Sequence, residues 1–237
     1  MNYAVIIAGG VGSRMHLDIP KQFVNIYDKP IIIYTLEAFQ KSPIIDGIVV
    51  VCINSWIPVL EAYAKQFNIT KLIKVVPGGQ TGQESIRNGV YSLDDICSPN
   101  DIVIIHDGIR PMVEEAVLED CVTVCQQKGN AVSSMPYNEQ IFLKNAFDEL
   151  STNKYIKRET IMRVSTPQAY RFKKLRDCYE YAFANKIGIF GSSYTNTMMA
   201  DLGETLYFSA GSERNIKLTT PEDIYIFKAL LKLKENN

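Results

Sequence analysis

Four short, nearly continuous apolar runs constrain this chain most: YAVIIA (3–8), GIVVVCI (47–53), KLIKVV (71–76) and DIVIIHD (101–107). Each is rich in β-branched residues and bounded by turn formers, the pattern of strands buried on both faces. Helical patterns lie between them, at PIIIYTLEAFQKS (30–42), WIPVLEAYAKQF (56–67) and GQESIRNGVYSL (82–93). This alternation predicts an α/β fold with a mostly parallel sheet flanked by helices. Ligands of such sheets bind beyond the carboxyl ends of the strands. The AGG after the first run and the HD that ends the fourth fall there.

The stretch 129–172 breaks the rhythm. It alternates apolar and polar residues loosely, with turn residues at Asn145 and Asn153. It predicts strands and a projecting β-arm at about 133–160. The closing TTPEDIYIFKALLKLKENN predicts a helix: Thr220 caps it, Pro221 suits the first turn, and Glu222 and Asp223 favour the positive end of the dipole. There is no repeat, low-complexity segment or linker, so residues 1–237 are expected to form one domain.

The 237 residues are 46% hydrophobic and 22% charged, with a formal net charge of −1. That balance leaves no electrostatic footprint for nucleic acid or a membrane surface. Any anion is therefore handled by a local site. MNYAVIIAGG has too short an apolar run for a signal-peptide core and lacks a basic leader. No stretch approaches the ~20 apolar residues of a membrane span. The five cysteines (Cys52, Cys97, Cys121, Cys125 and Cys178) are scattered, and the Cys121/Cys125 pair has no histidine pair beside it. They are expected as buried, reduced thiols in a cytoplasmic protein.

Three stretches have the residues for chemistry. In AGGVGSRMHLDIPKQF, glycines 9, 10 and 12 bring backbone N–H groups within reach of a phosphate. Arg14 adds a fork of donors and Lys21 a mobile point charge. Two cations around a phosphate chain would stabilise charge that grows during phosphoryl or nucleotidyl transfer. The glycines alone fit an ordinary turn equally well. A dinucleotide fingerprint lacks its third glycine, and no Gly-Lys-Ser/Thr follows to make a P-loop. The second stretch, PGGQTGQESIRNG (77–89), offers another close-approach loop at Gly78, Gly79 and Gly82 that opens a helix. The third, IIHDGIRP (104–111), ends a strand on Asp107, suited to a magnesium ion that keeps waters and phosphate oxygens. His106 fits a structural side chain better than a base, and His16 fits a loop surface.

Five ordered motifs, IAGGVGSRM…PKQ, GGQTGQESIRNG, HDGIRP, STPQAYRF and NIKLTTPED, span nearly the whole chain. It resembles the cytidylyltransferases that couple CTP to polyol phosphates, the family of 2-C-methyl-D-erythritol 4-phosphate and D-ribitol 5-phosphate cytidylyltransferases. The resemblance implies a Rossmann-like, nucleotidyltransferase-type sheet. It implies that Ile7, Ala8, Gly9 and Gly10 hold CTP, and that the 78–85 loop, with Gly78, Gly79, Gly82, Gln83 and Ser85, reads its cytosine and ribose. Arg14 and Lys21 are implied as catalytic, stabilising the pentacoordinate α-phosphate. Asp107 is implied as the magnesium ligand, and Arg158 and Lys217 as the residues that position the polyol phosphate. Arg158 lies in a segment that reaches across a homodimer in the family. No general base is required, because the attacking phosphate oxygen is already an anion.

Two departures point within the family. The methylerythritol branch has an arginine where this chain has Gly82, and a Thr-Asp pair where it reads GSSYTNTMMADLG (191–203). The aspartate position falls on Tyr194 or Asn196, and the threonine on Ser193 or Thr195. Ala8-Gly9-Gly10 also leans to the ribitol branch. The expected product is CDP-ribitol, destined for a cell-surface polymer such as teichoic acid. The alternatives are methylerythritol phosphate, another sugar phosphate, or a catalytically inactive nucleotide-binding relative.

Overall fold

The computed structural model describes residues 1–10, 19–191 and 194–235. Strand β1 (Asn2–Ala8) is followed by a short hairpin, β2 (Asn25–Ile26) and β3 (Lys29–Pro30), and by α1 (Ile31–Lys41). Then come β4 (Gly47–Cys52), α2 (Ile57–Gln66), β5 (Leu72–Pro77), α3 (Gly82–Tyr91) and β6 (Ile102–Asp107). Apart from the β2–β3 hairpin, which the apolar pattern does not signal, these are the strands and helices the sequence predicts, shifted by a residue or two at their ends. The chain continues through α4 (Glu115–Lys128), β7 (Asn130–Pro136), β8 (Ile141–Leu143), β9 (Lys154–Ile156), β10 (Met162–Arg171), α5 (Phe172–Asn185), α6 (Thr195–Asp201), β11 (Phe208–Ala210) and α7 (Pro221–Glu235).

Seven strands form the central sheet in the order β11-β7-β10-β6-β1-β4-β5. Strands β6, β1, β4 and β5 run parallel, and β10 runs antiparallel to both its neighbours. The register aligns Ile7 with Asp107 and Val51, and Ala8 with Cys52. The carboxyl ends of β1, β4, β5 and β6 therefore reach one edge together. Because β10 is reversed, its first half arrives at that same edge.

Side chains alternate between two cores. Ile6, Val50 and Ile104 pack under Ile33, Leu36 and Phe39 of α1 and Leu118 of α4. Val5, Val51 and Val103 face Ile86 and Val90 of α3 and Leu175 and Tyr179 of α5. Each such buried aliphatic side chain contributes roughly 1.5–3 kcal/mol. At Gly89 a Cβ would stand 2.5 Å from Val5 Cγ1. The glycine lets α3 lie directly on β1.

The 129–172 stretch consists mainly of strands. Its middle forms a separate antiparallel pair, β8 with β9, in which Phe142 faces Tyr155. Both rings are exposed, as are Phe147 and Leu150 in the connecting turn. Helix α7 starts as its composition predicts. Asp223 does more than favour the dipole: its carboxylate accepts the Thr219 and Thr220 amides at 2.7 and 2.8 Å.

Cys52, Cys121, Cys125 and Cys178 are buried and Cys97 is half-buried, all as free thiols. Burial pushes Cys121 and Cys125 up to about 12. No helix among the described residues is long and apolar enough to cross a membrane.

Candidate active site

A cleft of about 560 Å³ opens at the carboxyl edge of the sheet. Its walls include Ile7 and Ala8 at the end of β1, Gly9 and Gly10 just after it, and Lys21 in the short helical turn Lys21–Phe23. Gly79 comes from the loop before α3, Gly82 and Ser85 from the first turn of α3, Asp107 from the end of β6, and Lys217 from the loop before α7. Residues drawn from four separate motifs thus meet in one place.

Two devices stiffen the backbone here. Gln22 is buried, and its amide donates to the carbonyls of Ala8 at 2.7 Å and Gly10 at 3.1 Å. It ties the turn that carries Lys21 to the glycine loop. Thr81 and Glu84 form a reciprocal cap on α3, with the Thr81 hydroxyl accepting the Glu84 amide. The Glu84 carboxylate takes the Gln80 and Thr81 amides in return. Such a capping box satisfies amides that helix ends leave open.

Ser85, in the first turn of α3, is buried against the loop before it, where its hydroxyl donates to the Thr81 carbonyl and accepts the Gly79 amide. Gly78 stands behind the cleft wall, its amide bonded to the Cys52 carbonyl at 2.8 Å. A Cβ on Gly78 would lie 3.1 Å from Ser85 Oγ. Gln83 turns away from the cleft. Its amide donates to the Tyr194 and Gly188 carbonyls and its oxygen accepts the Tyr179 hydroxyl. Its side chain therefore braces α3 against the 188–194 loop, and is not offered to a ligand in the cleft.

Asp107 is the electrostatic centre. Arg110 Nε donates to its carboxylate at 2.9 Å, and Lys217 Nζ lies 3.2 Å away. Burial alone would raise this carboxyl; Lys217 and Arg110 outweigh it and hold the group below the ordinary carboxylate range. Arg110 also donates to the Asn215 carbonyl, and Asn215 donates to the Thr166 carbonyl. The Thr166 hydroxyl in turn accepts the Asp107 amide at 3.1 Å.

His106 is fully buried, with Nε2 3.1 Å from the Arg110 carbonyl and its ring against Phe39. Burial pushes its pKa down to about 4, so it is neutral at physiological pH. That is the structural side chain the sequence suggests. Arg158 stands outside the cleft, exposed beside Glu159 and next to the β8–β9 pair. Arg14, Gly12 and His16 lie outside the described residues, as does Ser193.

Sequence reasoning missed three residues that line or frame the cleft, Gln22, Thr166 and Gln168, whereas Tyr194 and Thr195, at the positions of the Thr-Asp departure, also line it. Gln22 and Gln168 belong to the motifs PKQ and TPQ, whose spacing does not say what a glutamine there holds. Their partners are distant backbone atoms and amides, such as the Asn196 amide that donates to Gln168.

The architecture is that of the cytidylyltransferase structures. The 4-diphosphocytidyl-2C-methyl-D-erythritol synthase from Anaerococcus prevotii matches with a TM-score of 0.81 at 20% identity, over 98% of this chain and 96% of that one. The Francisella tularensis 2-C-methyl-D-erythritol 4-phosphate cytidylyltransferase matches with a TM-score of 0.77 at 23% identity, over 96% and 98% of the two chains.

The chain belongs to the IspD family, described as 2-C-methyl-D-erythritol 4-phosphate cytidylyltransferase, whose model matches residues 2–233. It is accordingly a CTP-dependent cytidylyltransferase, an enzyme. It is 56% identical to a ribitol-5-phosphate cytidylyltransferase of Lacticaseibacillus paracasei, over 98% of both chains. It is 35% identical to the ribitol-5-phosphate cytidylyltransferase of Streptococcus agalactiae serotype Ia, over 100% of this chain and 98% of that one. A 2-C-methyl-D-erythritol 4-phosphate cytidylyltransferase of Clostridium kluyveri is 34% identical, over 98% and 96%.

Proposed function

We propose that this protein transfers the cytidylyl group of CTP to D-ribitol 5-phosphate, giving CDP-ribitol and pyrophosphate. The observation that carries this reading is the 56% identity to a ribitol-5-phosphate cytidylyltransferase along the full length of both chains, against 34% for the Clostridium kluyveri relative. The site chemistry agrees. A phosphate oxygen of ribitol phosphate attacks the α-phosphorus of CTP, a P–O bond forms, and the bond to the β-phosphate breaks with release of pyrophosphate.

In this reading the backbone of residues 7–10 and the 78–85 loop hold CTP. Lys21, with Arg14, neutralises the charge that builds on the α-phosphate. Lys217 and Arg158 hold the acceptor phosphate. Since Arg158 stands away from the cleft of its own chain, a homodimer that lends it to the partner's cleft fits its position on the β8–β9 arm. No general base takes part, so catalysis rests on alignment and charge neutralisation. A cytoplasmic supply of activated ribitol for a cell-surface polymer is the role that suits such a product.

A magnesium ion suits the donor chemistry here. Asp107 is an ionised carboxylate on the cleft wall, and no group of three or more acidic, histidine or cysteine side chains placed to hold a metal ion occurs among the described residues. A hard cation would therefore use Asp107 together with triphosphate oxygens. When bound, it would lower the charge of the triphosphate.

The test is pyrophosphate release with CTP and magnesium, comparing ribitol 5-phosphate with 2-C-methyl-D-erythritol 4-phosphate. Release with the ribitol ester is the expected result. Release with the erythritol ester alone would overturn the assignment.

A further inference from the structure

Lys217 is held on two sides. Its ammonium lies 3.2 Å from the Asp107 carboxylate and 5.4 Å from the centre of the Tyr194 ring. Tyr194 stands on a fixed post. Its carbonyl accepts from Gln83 Nε2 at 2.9 Å and from the Thr197 hydroxyl at 2.8 Å. The next residue, Thr195, is pinned below by its hydroxyl, 2.9 Å from that of buried Tyr179. The ring is half-exposed and forms part of the cleft wall.

A lysine ammonium is a compact charge on a four-carbon stem and gives up much rotamer freedom when it is held in one place. A carboxylate attracts it from any direction. An aromatic face within about 6 Å restricts it to one side, and such contacts gain strength as water is excluded.

We propose that Tyr194 is a positioning residue for the polyol phosphate, its ring keeping the Lys217 ammonium where the acceptor phosphate arrives. This rests on the reading of Lys217 given above. Pre-placing the cation lowers the ordering cost that the substrate otherwise meets on binding. Gln83, turned away from the cleft, sets the height of the post from the nucleotide side.

Steady-state kinetics with CTP and ribitol 5-phosphate test this. Tyr194→Ala is expected to raise the KM for ribitol 5-phosphate roughly three- to thirtyfold, the range of a partly shielded cation–π contact. The KM for CTP stays within about twofold, as expected when only acceptor binding is lost. Tyr194→Phe keeps the ring face and restores the low KM, whereas Tyr194→Leu keeps volume without the ring and behaves like the alanine variant. In a Lys217→Ala background, Tyr194→Ala adds nothing further. A wild-type KM in Tyr194→Ala, or an additive effect in the double variant, overturns the inference. If Lys217→Ala itself leaves the ribitol 5-phosphate KM unchanged, the assignment of Lys217 falls and the inference with it. If only the Tyr194 variants are silent, Lys217 stands and Tyr194 does not.

Discussion

The Lys217 ammonium and the Asp107 carboxylate meet at 3.2 Å although 110 residues separate them along the chain. Asp107 ends a central strand and Lys217 sits in the loop before the last helix, so the pair forms only when the fold is complete. Arg110 closes the other side of the same carboxylate. The Asp107 carboxylate is thus held between two cations, of which Lys217 lines the cleft.

Asp107→Asn retains the shape and removes the charge, and is expected to lower kcat by about a hundredfold or more. A chelator should abolish wild-type activity, with magnesium restoring it. The stability effect has a definite sign. The folded-state pKa is depressed, so the contribution is complete above the unfolded value of about 4 and is lost as pH falls through the folded one. Melting temperatures should show a gap between wild type and Asp107→Asn that is constant from about pH 8 to 5 and shrinks below about pH 4.

Gln22→Ala leaves the Ala8 and Gly10 carbonyls without their amide donor. A loss of about 1–3 kcal/mol is expected in urea unfolding, together with a raised KM for CTP. A normal KM for CTP with reduced stability would confine Gln22 to the fold.

Lys21→Ala and Arg14→Ala should each lower turnover by orders of magnitude while the protein still folds, since both groups act on charge that develops in the transition state. Circular dichroism and single-turnover rates check this. Near-normal rates in either variant would remove that residue from the clamp.

His106 carries its own pH signature. Its folded pKa of about 4 lies below the unfolded value of about 6.5, so between these the unfolded chain binds the extra proton. Stability therefore falls as pH drops, by about 2 kcal/mol from pH 7 to 5 for this group. Urea midpoints of wild type should fall over that range, and those of His106→Gln should fall less. Equal slopes would place the pH sensitivity elsewhere.

The central strands were legible because their residues are apolar on both faces, and α1, α2 and α3 because their apolar periodicity is strong. The sequence gives less notice of β10. A strand's direction is set by its neighbours, and its residues read alike whether it runs parallel or antiparallel. Yet the reversal of β10 brings Thr166 to the Asp107 amide. The motifs located the cleft, but motif membership did not separate residues that face it from residues that hold it. Gln83 and Ser85 are two apart on one helix, and only Ser85 borders the cleft. A helix turns about 100° per residue, and tertiary packing decides which side is the inner one.

By itself the sequence determined the alternation of strands and helices, the sheet edge where ligands belong, and the residue types gathered there, because local propensity and hydrophobic period act over a few residues. Only the tertiary structure decided that Asp107 meets Lys217 and Arg110, that Tyr194 stands over that lysine, and that Gln22 and Gln83 serve as struts. Each of these contacts depends on directions and distances between segments far apart in the chain. Such geometry is fixed by packing the whole core and by no stretch alone.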